Sequence, residues 1–160
     1  MQDSAIPASQ VELEITESAM MIDPERARAI VKELRSLGTL ISIDDYGTGF
    51  SSLGYLRDLR VHALKLDKSF VVDLEVREQN RVIVESTVQM AHALGLRVVA
   101  EGVETEWVKS YLQGIGYDLG QGYWFARPMP AEDCCNWALR FGAAPPHRDS
   151  GDKAGGAAAA

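Results

Sequence analysis

Five short apolar runs alternate with helix-patterned stretches along the chain, and no hairpin turn joins any two of them. Val11–Glu17 alternates apolar and polar residues, while Leu40–Asp44, Ala63–Asp67 and Arg97–Gly102 have the length and branched residues of buried strands. Tyr117–Phe125 is a last strand region, interrupted by Gly120 and Gly122. Strands separated by helices run parallel with right-handed crossovers, so the expected fold class is α/β with about five parallel strands. The helices are marked by their ends. Asp23-Pro24-Glu25 supplies a cap, a proline suited to the first turn and an acid for the helix dipole, opening a helix with Ala27, Ile30, Val31 and Leu34 on one face. A short helix is expected over Leu53–Leu59. A long one runs from about Gln79 to Leu94 with Val82, Ile83, Ser86, Met90 and Leu94 along one side. Thr105 caps another through Gln113, and Ala131–Phe141 is the last. Residues 1–10 read as a polar leader and 11–142 as one domain. Residues 143–160 read as a Gly/Ala/Pro tail that cannot form a packed core and is expected to be disordered.

Every strand carries a polar residue at or near its C-terminal end: Glu14, Asp44 with Asp45, Lys65 with Asp67, Glu101, and Gln121. Strands buried on both faces rarely tolerate this, because an unpaired buried carboxylate costs several kcal/mol. Five such tips on one rim suggest a shared site, as at the C-terminal face of a βα barrel. An open three-layer sheet would gather its tips at one switch point instead. Asp44 and Asp45 repel each other unless one is protonated or a cation lies between them. The plainer alternative is aspartate as turn former and cap ahead of Ser51-Ser52. Glu14, Asp44, Asp45 and Glu101 offer hard oxygens with no imidazole or thiolate, a set that favours Mg²⁺, Mn²⁺ or Ca²⁺ over zinc. Four carboxylates exceed what one Mg²⁺ usually takes from protein, which allows two ions about 3.5–4 Å apart, clamping a phosphoryl displacement. Lys65 either orients water and stabilises phosphate charge or pairs with Asp67. Glu104 is either a proton acceptor near Glu101 or a first-turn acid beside Thr105.

The formal charge of −7 argues against a nucleic-acid polymer as partner, although bound cations can still bring phosphate to an acidic site. No apolar run reaches the roughly 18 residues that span a bilayer. Two adjacent cysteines, Cys134 and Cys135, are poor material for a disulfide framework and fit the cytoplasm. His62 and His92 have no ligand-spaced partner and read as core-edge or helix-surface residues. Trp107, Trp124 and Trp137 read as packing residues.

Leu13-Glu14-Ile15-Thr16-Glu17-Ser18, Asp44-Asp45-Tyr46-Gly47-Thr48-Gly49-Phe50-Ser51-Ser52-Leu53, Leu64-Lys65-Leu66-Asp67-Lys68-Ser69-Phe70-Val71, Ala100-Glu101-Gly102-Val103-Glu104-Thr105 and Gln121-Gly122-Tyr123-Trp124-Phe125-Ala126-Arg127-Pro128-Met129-Pro130 follow one another in this order. Together they resemble the EAL-domain family of cyclic di-GMP phosphodiesterases, over Val11 to about Phe141. The resemblance implies a TIM-barrel-like fold and hydrolysis of cyclic di-GMP to linear pGpG with Mg²⁺ or Mn²⁺. It implies metal ligands at Glu14, Asp44, Asp45 and Glu101, a water-contacting lysine at Lys65 and a general base at Glu101. Gln121, Asp67 and Glu104 belong to the rim. The loop with Gly47, Thr48 and Gly49 matches the mobile loop that couples substrate, metal and a dimer contact, and Glu17 matches the acid that anchors it. The family's Glu-Ala-Leu motif and a later asparagine, both sources of metal ligands, are absent from the sequence. The resemblance therefore implies a partial, unclosed barrel with exposed edges near Val11–Ile15 and the last strand, impaired in turnover and open to a homodimer or a complementing EAL fragment. Two other function classes remain: a non-catalytic nucleotide-binding or protein-interaction module, and an enolase-type barrel enzyme, against which the glycine loop and the Glu101–Thr105 pattern argue.

Overall fold

The computed structural model describes residues 6–49 and 53–143. Its parallel sheet contains Glu12–Thr16 (β1), Leu40–Tyr46 (β2), Ala63–Leu66 (β3), Arg97–Glu101 (β4) and Leu119–Gln121 (β5). The strands lie side by side in chain order. Each connection thus steps to the next strand, as in a barrel wall, with no reversal of the kind that makes a switch point in an open sheet. β1 pairs with β2 alone and β5 with β4 alone, so both outer edges are without a strand partner among the described residues.

The strand period of two divides the sheet into two faces. Ile41, Ile43, Leu64, Leu66, Val98 and Ala100 point one way and are fully buried under the helices. The register sets Glu14 beside Ser42, Ser42 beside Ala63, Lys65 beside Val99, and Glu101 beside Gln121, all on the opposite face. The helices are Glu17–Ile22 (α1), Pro24–Ser36 (α2), Leu53–Leu59 (α3), Lys68–Val71 (α4), Glu78–Ala93 (α5) and Glu106–Gly114 (α6). Their starts follow local chemistry. Asp23 accepts from the Arg26 amide at 3.1 Å with Pro24 in the first turn, and Thr105 accepts from Val108 at 3.2 Å. One apolar cluster gathers Val31, Leu56, Leu59 and Ala91 against β2, β3 and β4. A second gathers Val71, Leu74, Val84, Val108 and Leu112 against Leu66 and Ala100, and Tyr46 and Tyr117 touch both.

The structure corrects several expectations. Glu17 does not end β1 but begins α1, where Thr16 caps the helix by accepting from Ala19. α4 is a further helix that the pattern did not reveal, because four residues are too few to show a period. α5 does not bury the side carrying Val82, Ile83 and Leu94, which are exposed, although Met90 packs on the core. Its buried side is Val84, Thr87, Val88 and Ala91. Both stripes have helical spacing, and packing against α4 and the sheet selects the second. Ile30 is likewise exposed on α2, leaving Val31 as the residue that α2 buries fully. β5 has three residues, because Gly122 turns the chain immediately after Gln121. The leader is not wholly irregular: Ala8–Gln10 form a single 3-10 turn. The remaining leader residues 1–5 and the tail from 144 to 160 lie outside the described residues.

Residues from Pro128 onward form a separate unit, described by the helix Ala131–Ala143 (α7), on which Cys134 and Cys135 are free, exposed thiols. Among the described residues no helix is long and apolar enough to cross a membrane.

Candidate active site

The site forms where β1 to β4 end, and Lys65 is at its centre. Lys65 lies on the middle strand and its side chain is only 7% exposed. Its Nζ is 2.7 Å from Glu14 Oε1, 2.8 Å from Asp44 Oδ1 and 2.8 Å from Glu101 Oε1. Burial alone would lower the lysine pKa, but hydrogen bonds to Asp44, Glu101 and Glu14 outweigh it and hold the ammonium well above its ordinary value. Lys65 therefore does not pair with Asp67. Asp67 instead caps α4, accepting from the Ser69 amide at 2.9 Å. Burial acts to raise its carboxyl, yet the Ser69 and Lys68 hydrogen bonds prevail and hold it below the usual range.

Asp44 and Asp45 both reach this rim because β2 is irregular there. Ile43 pairs with Leu64 and Tyr46 with Leu66, so two residues of β2 oppose the single residue Lys65. This is a β-bulge, and Asp45 occupies the left-handed region at φ 55°. In a regular strand Asp45 would turn toward the apolar core and Tyr46 toward the rim. The extra residue reverses that: Tyr46 packs into both apolar clusters while Asp45 stays with Asp44. Asp44, Asp45 and Glu101 each present a carboxylate oxygen, all within 4.8 Å of one another. Apart from the Lys65 ammonium, buried Asp44 Oδ1 has no hydrogen-bond partner among the described residues. An all-oxygen set of converging carboxylates fits a hard divalent cation, which Asp44, Asp45 and Glu101 could hold with Glu14 beside them.

The loop after β2 is fixed from below. Glu17 is fully buried, and its Oε2 accepts from the Gly47 amide at 2.8 Å and from Gly49 at 3.4 Å. A Cβ at Gly47 would meet the Phe70 ring at 2.8 Å, and one at Gly49 would meet Glu17 Oε1 at 2.9 Å. Both positions are thus restricted by close approach, and Gly47 also by its left-handed φ of 98°. Thr48 closes the turn by donating its hydroxyl to the Asp45 carbonyl at 2.9 Å. Phe50, Ser51 and Ser52 lie outside the described residues.

Gln121 sits opposite Glu101 in the register, exposed at the tip of β5. Gly122 follows because a Cβ there would lie 2.2 Å from the Val103 carbonyl oxygen. The same approach lets the Val103 amide donate to Gln121 at 3.0 Å and the Trp124 amide donate to Val103 at 2.9 Å. Glu104 is exposed and is not among the acids whose oxygens converge. Pattern reading did not single out Ser42, whose buried hydroxyl lies on the site face without a hydrogen-bond partner among the described residues. Its alternation with Asp44 was the available signal. The histidines lie where expected, His62 at the core edge and His92 on the surface of α5, and each has a hydrogen-bond partner. His62 Nδ1 accepts from the Ile41 amide at 3.0 Å, at the entrance to β3. Burial and the Arg35 charge lower its pKa, consistent with an accepting ring nitrogen. His92 Nε2 lies 3.0 Å from Asp118 Oδ2, which also accepts from Val98 at 2.7 Å ahead of β5.

The fold and rim define a class: a parallel, TIM-barrel-like α/β sheet with an acidic, cation-compatible site at its C-terminal edge. Comparison with known proteins narrows it. The EAL domain family pattern matches residues 1–128. Cyclic di-GMP phosphodiesterase NbdA of Pseudomonas aeruginosa is 42% identical over 150 residues, covering 92% of this chain and 19% of that protein. The solved PaMucR phosphodiesterase in complex with c-di-GMP superposes with a TM-score of 0.79 at 41% identity, covering 81% of this chain and 53% of that one. Klebsiella pneumoniae BlrP1, solved in manganese and calcium complexes with cyclic di-GMP, gives a TM-score of 0.72 at 36% identity over 77% of this chain and 31% of that one. The chain belongs to the EAL domain family and is a partial EAL domain.

Proposed function

We propose that this chain forms the acidic, lysine-bearing part of a site that hydrolyses one phosphodiester of cyclic di-GMP to linear pGpG, using Mg²⁺ or Mn²⁺. The observation that carries this reading is the convergence of Glu14, Asp44 and Glu101 on Lys65 Nζ at 2.7–2.8 Å, with Asp45 turned onto the same rim by the bulge. Membership of the EAL family and the cyclic di-GMP complexes of PaMucR and BlrP1 support the substrate. Asp44, Asp45 and Glu101, with Glu14 beside them, would hold the metal. A dication bound there polarises a phosphoryl oxygen and lowers the pKa of water. Lys65, an ammonium at the centre of these acids, orients the attacking water and offsets charge on the phosphate. Glu101 accepts the proton of that water. Gln121, Asp67 and Glu104 border the nucleotide. The Gly47–Gly49 turn, tied to Glu17, transmits nucleotide contact to Asp45 through the bulge. Two adjacent free thiols suit a reducing compartment, and the cytoplasm is the proposed location.

The family's Glu-Ala-Leu glutamate and later asparagine have no counterpart among these 160 residues, so turnover by the chain alone is impaired. The test is chromatographic detection of pGpG after incubation with cyclic di-GMP and Mn²⁺, beside calorimetry with the nucleotide. Binding with slow turnover is expected, rising when an EAL segment bearing the two missing ligands is added and abolished by Asp44→Asn. Absence of nucleotide binding, together with no turnover in the complemented mixture, would refute the reading. Binding without turnover in that mixture identifies a nucleotide-binding module instead.

A further inference from the structure

An ammonium group carries three N–H donors, and those of Lys65 face three carboxylates at 2.7, 2.8 and 2.8 Å. Two of these acids, Asp44 and Glu101, are also two of the three residues whose oxygens converge as a candidate cation site. Lys65 and a divalent cation therefore call on the same side chains. Lys65 is largely shielded from water, so solvent ions screen its ammonium weakly. A dication arriving beside a fixed ammonium is repelled, whereas the same carboxylates without an ammonium repel one another.

We propose that Lys65 is the resident counter-ion of this site, and that a divalent cation binds in competition with it for Asp44 and Glu101. The inference rests on the metal-site reading above and adds what sets the affinity of that site. The lysine neutralises the acids in the metal-free protein and yields them when the cation enters. Cation affinity is consequently held below what the oxygen set alone would give. Removing the ammonium strengthens cation binding and makes folding depend on the cation.

The test uses the full chain, Mn²⁺ as the probe and no nucleotide. Calorimetry and thermal unfolding compare the wild-type chain with Lys65→Met, which keeps length without charge, and Lys65→Arg, which keeps the charge. Metal-free Lys65→Met is expected to melt below the wild type. It is also expected to bind Mn²⁺ at least about tenfold more tightly and to gain more in melting temperature when Mn²⁺ is added. Lys65→Arg is expected to bind no more tightly than the wild type. Equal or weaker Mn²⁺ binding by Lys65→Met overturns the proposal, since the lysine would then be independent of the cation or would organise its ligands. If Lys65→Met folds only when Mn²⁺ is present the proposal holds, and if it folds under neither condition the proposal fails. Mn²⁺ binding to neither the wild type nor Lys65→Met, or equal binding by wild type and Asp45→Asn, refutes the metal site itself and the competition with it.

Discussion

The bulge at Asp44–Asp45 makes a prediction whose sign is opposite to that for an ordinary strand. In a regular strand interior, glycine is less stable than alanine by about 0.5–1 kcal/mol, because it loses more backbone freedom on folding. Asp45 has φ 55°, where a residue with a Cβ is strained by roughly 1–2 kcal/mol and glycine is not. Subtracting the entropic penalty of glycine leaves Asp45→Gly more stable than Asp45→Ala by about 0.75 kcal/mol at mid-range and by up to about 1.5 kcal/mol. Both variants delete the same carboxylate, so relief of repulsion within the acidic cluster cancels in the comparison. With a urea m-value of about 1–3 kcal/mol/M, the two midpoints should differ by roughly 0.2–1 M. Both variants should also lose Mn²⁺ affinity, while Asp45→Asn, which tolerates the left-handed region, keeps most of the stability. Equilibrium urea unfolding of the three variants, followed by tyrosine and tryptophan fluorescence, is the assay. If Asp45→Ala proves more stable than Asp45→Gly, Asp45 lies in an extended strand and the account of how both acids reach the rim is wrong.

Three further outcomes follow from the same geometry. Glu17→Ala removes the acceptor of the Gly47 and Gly49 amides, at a cost of about 1–3 kcal/mol. Exchange of the Gly47 amide should accelerate by at least about tenfold, and unchanged exchange would show that the turn is held by something else. Gly122→Ala drives a Cβ to within 2.2 Å of the Val103 oxygen, and since backbone cannot yield cheaply the loss should exceed about 3 kcal/mol by urea unfolding. Tyr111 is pushed from 10.0 up to about 12, first by burial and then by its 2.6 Å hydrogen bond to Glu85. Its folded pKa lies above the unfolded one, so its contribution to stability is intact below pH 10 and is lost between pH 10 and about 12. Glu85→Ala should move its spectrophotometric titration back toward 10, and a midpoint that stays near 12 would assign the shift to burial alone.

The parallel α/β character was legible because Leu40–Asp44, Ala63–Asp67 and Arg97–Gly102 are apolar runs with no hairpin turn between them, and all three contribute strands to the sheet. The rim was legible for a related reason: charge at the end of a buried strand is costly unless it lies at a site. What the pattern could not convey was register. Period-two reading of β2 puts Asp44 and Asp45 on opposite faces, and only the pairing of Tyr46 with Leu66 reveals the bulge. The buried side of α5 was misread because two apolar stripes compete on one helix and tertiary contact decides between them. The partners of His62 and Glu17 are backbone amides, which leave no mark in a side-chain pattern.

Position in the sheet also ranks the site residues by how firmly they are held. Asp44, Lys65 and Glu101 stand on β2, β3 and β4, each paired on both sides and backed by the fully buried Ile43, Leu64, Leu66 and Ala100. Glu14 and Gln121 stand on β1 and β5, each paired on one side only, and the Glu14 side chain is 50% exposed. Behind β1 an open groove of about 500 Å³ is lined by Leu13, Ile15, Met20, Ile22 and Ile30, and Ile22 is 86% exposed. Backbone with one unpaired edge and little cover opens at lower free energy than backbone paired on both sides. Amide exchange should therefore be slow at Leu64 to Leu66 and Val98 to Ala100 and fast along β1, with Glu14 the least fixed of the carboxylates around Lys65. The centre of the site is preorganised by the three inner strands, while the contributions of Glu14 and Gln121 depend on what pairs with the outer edges of β1 and β5.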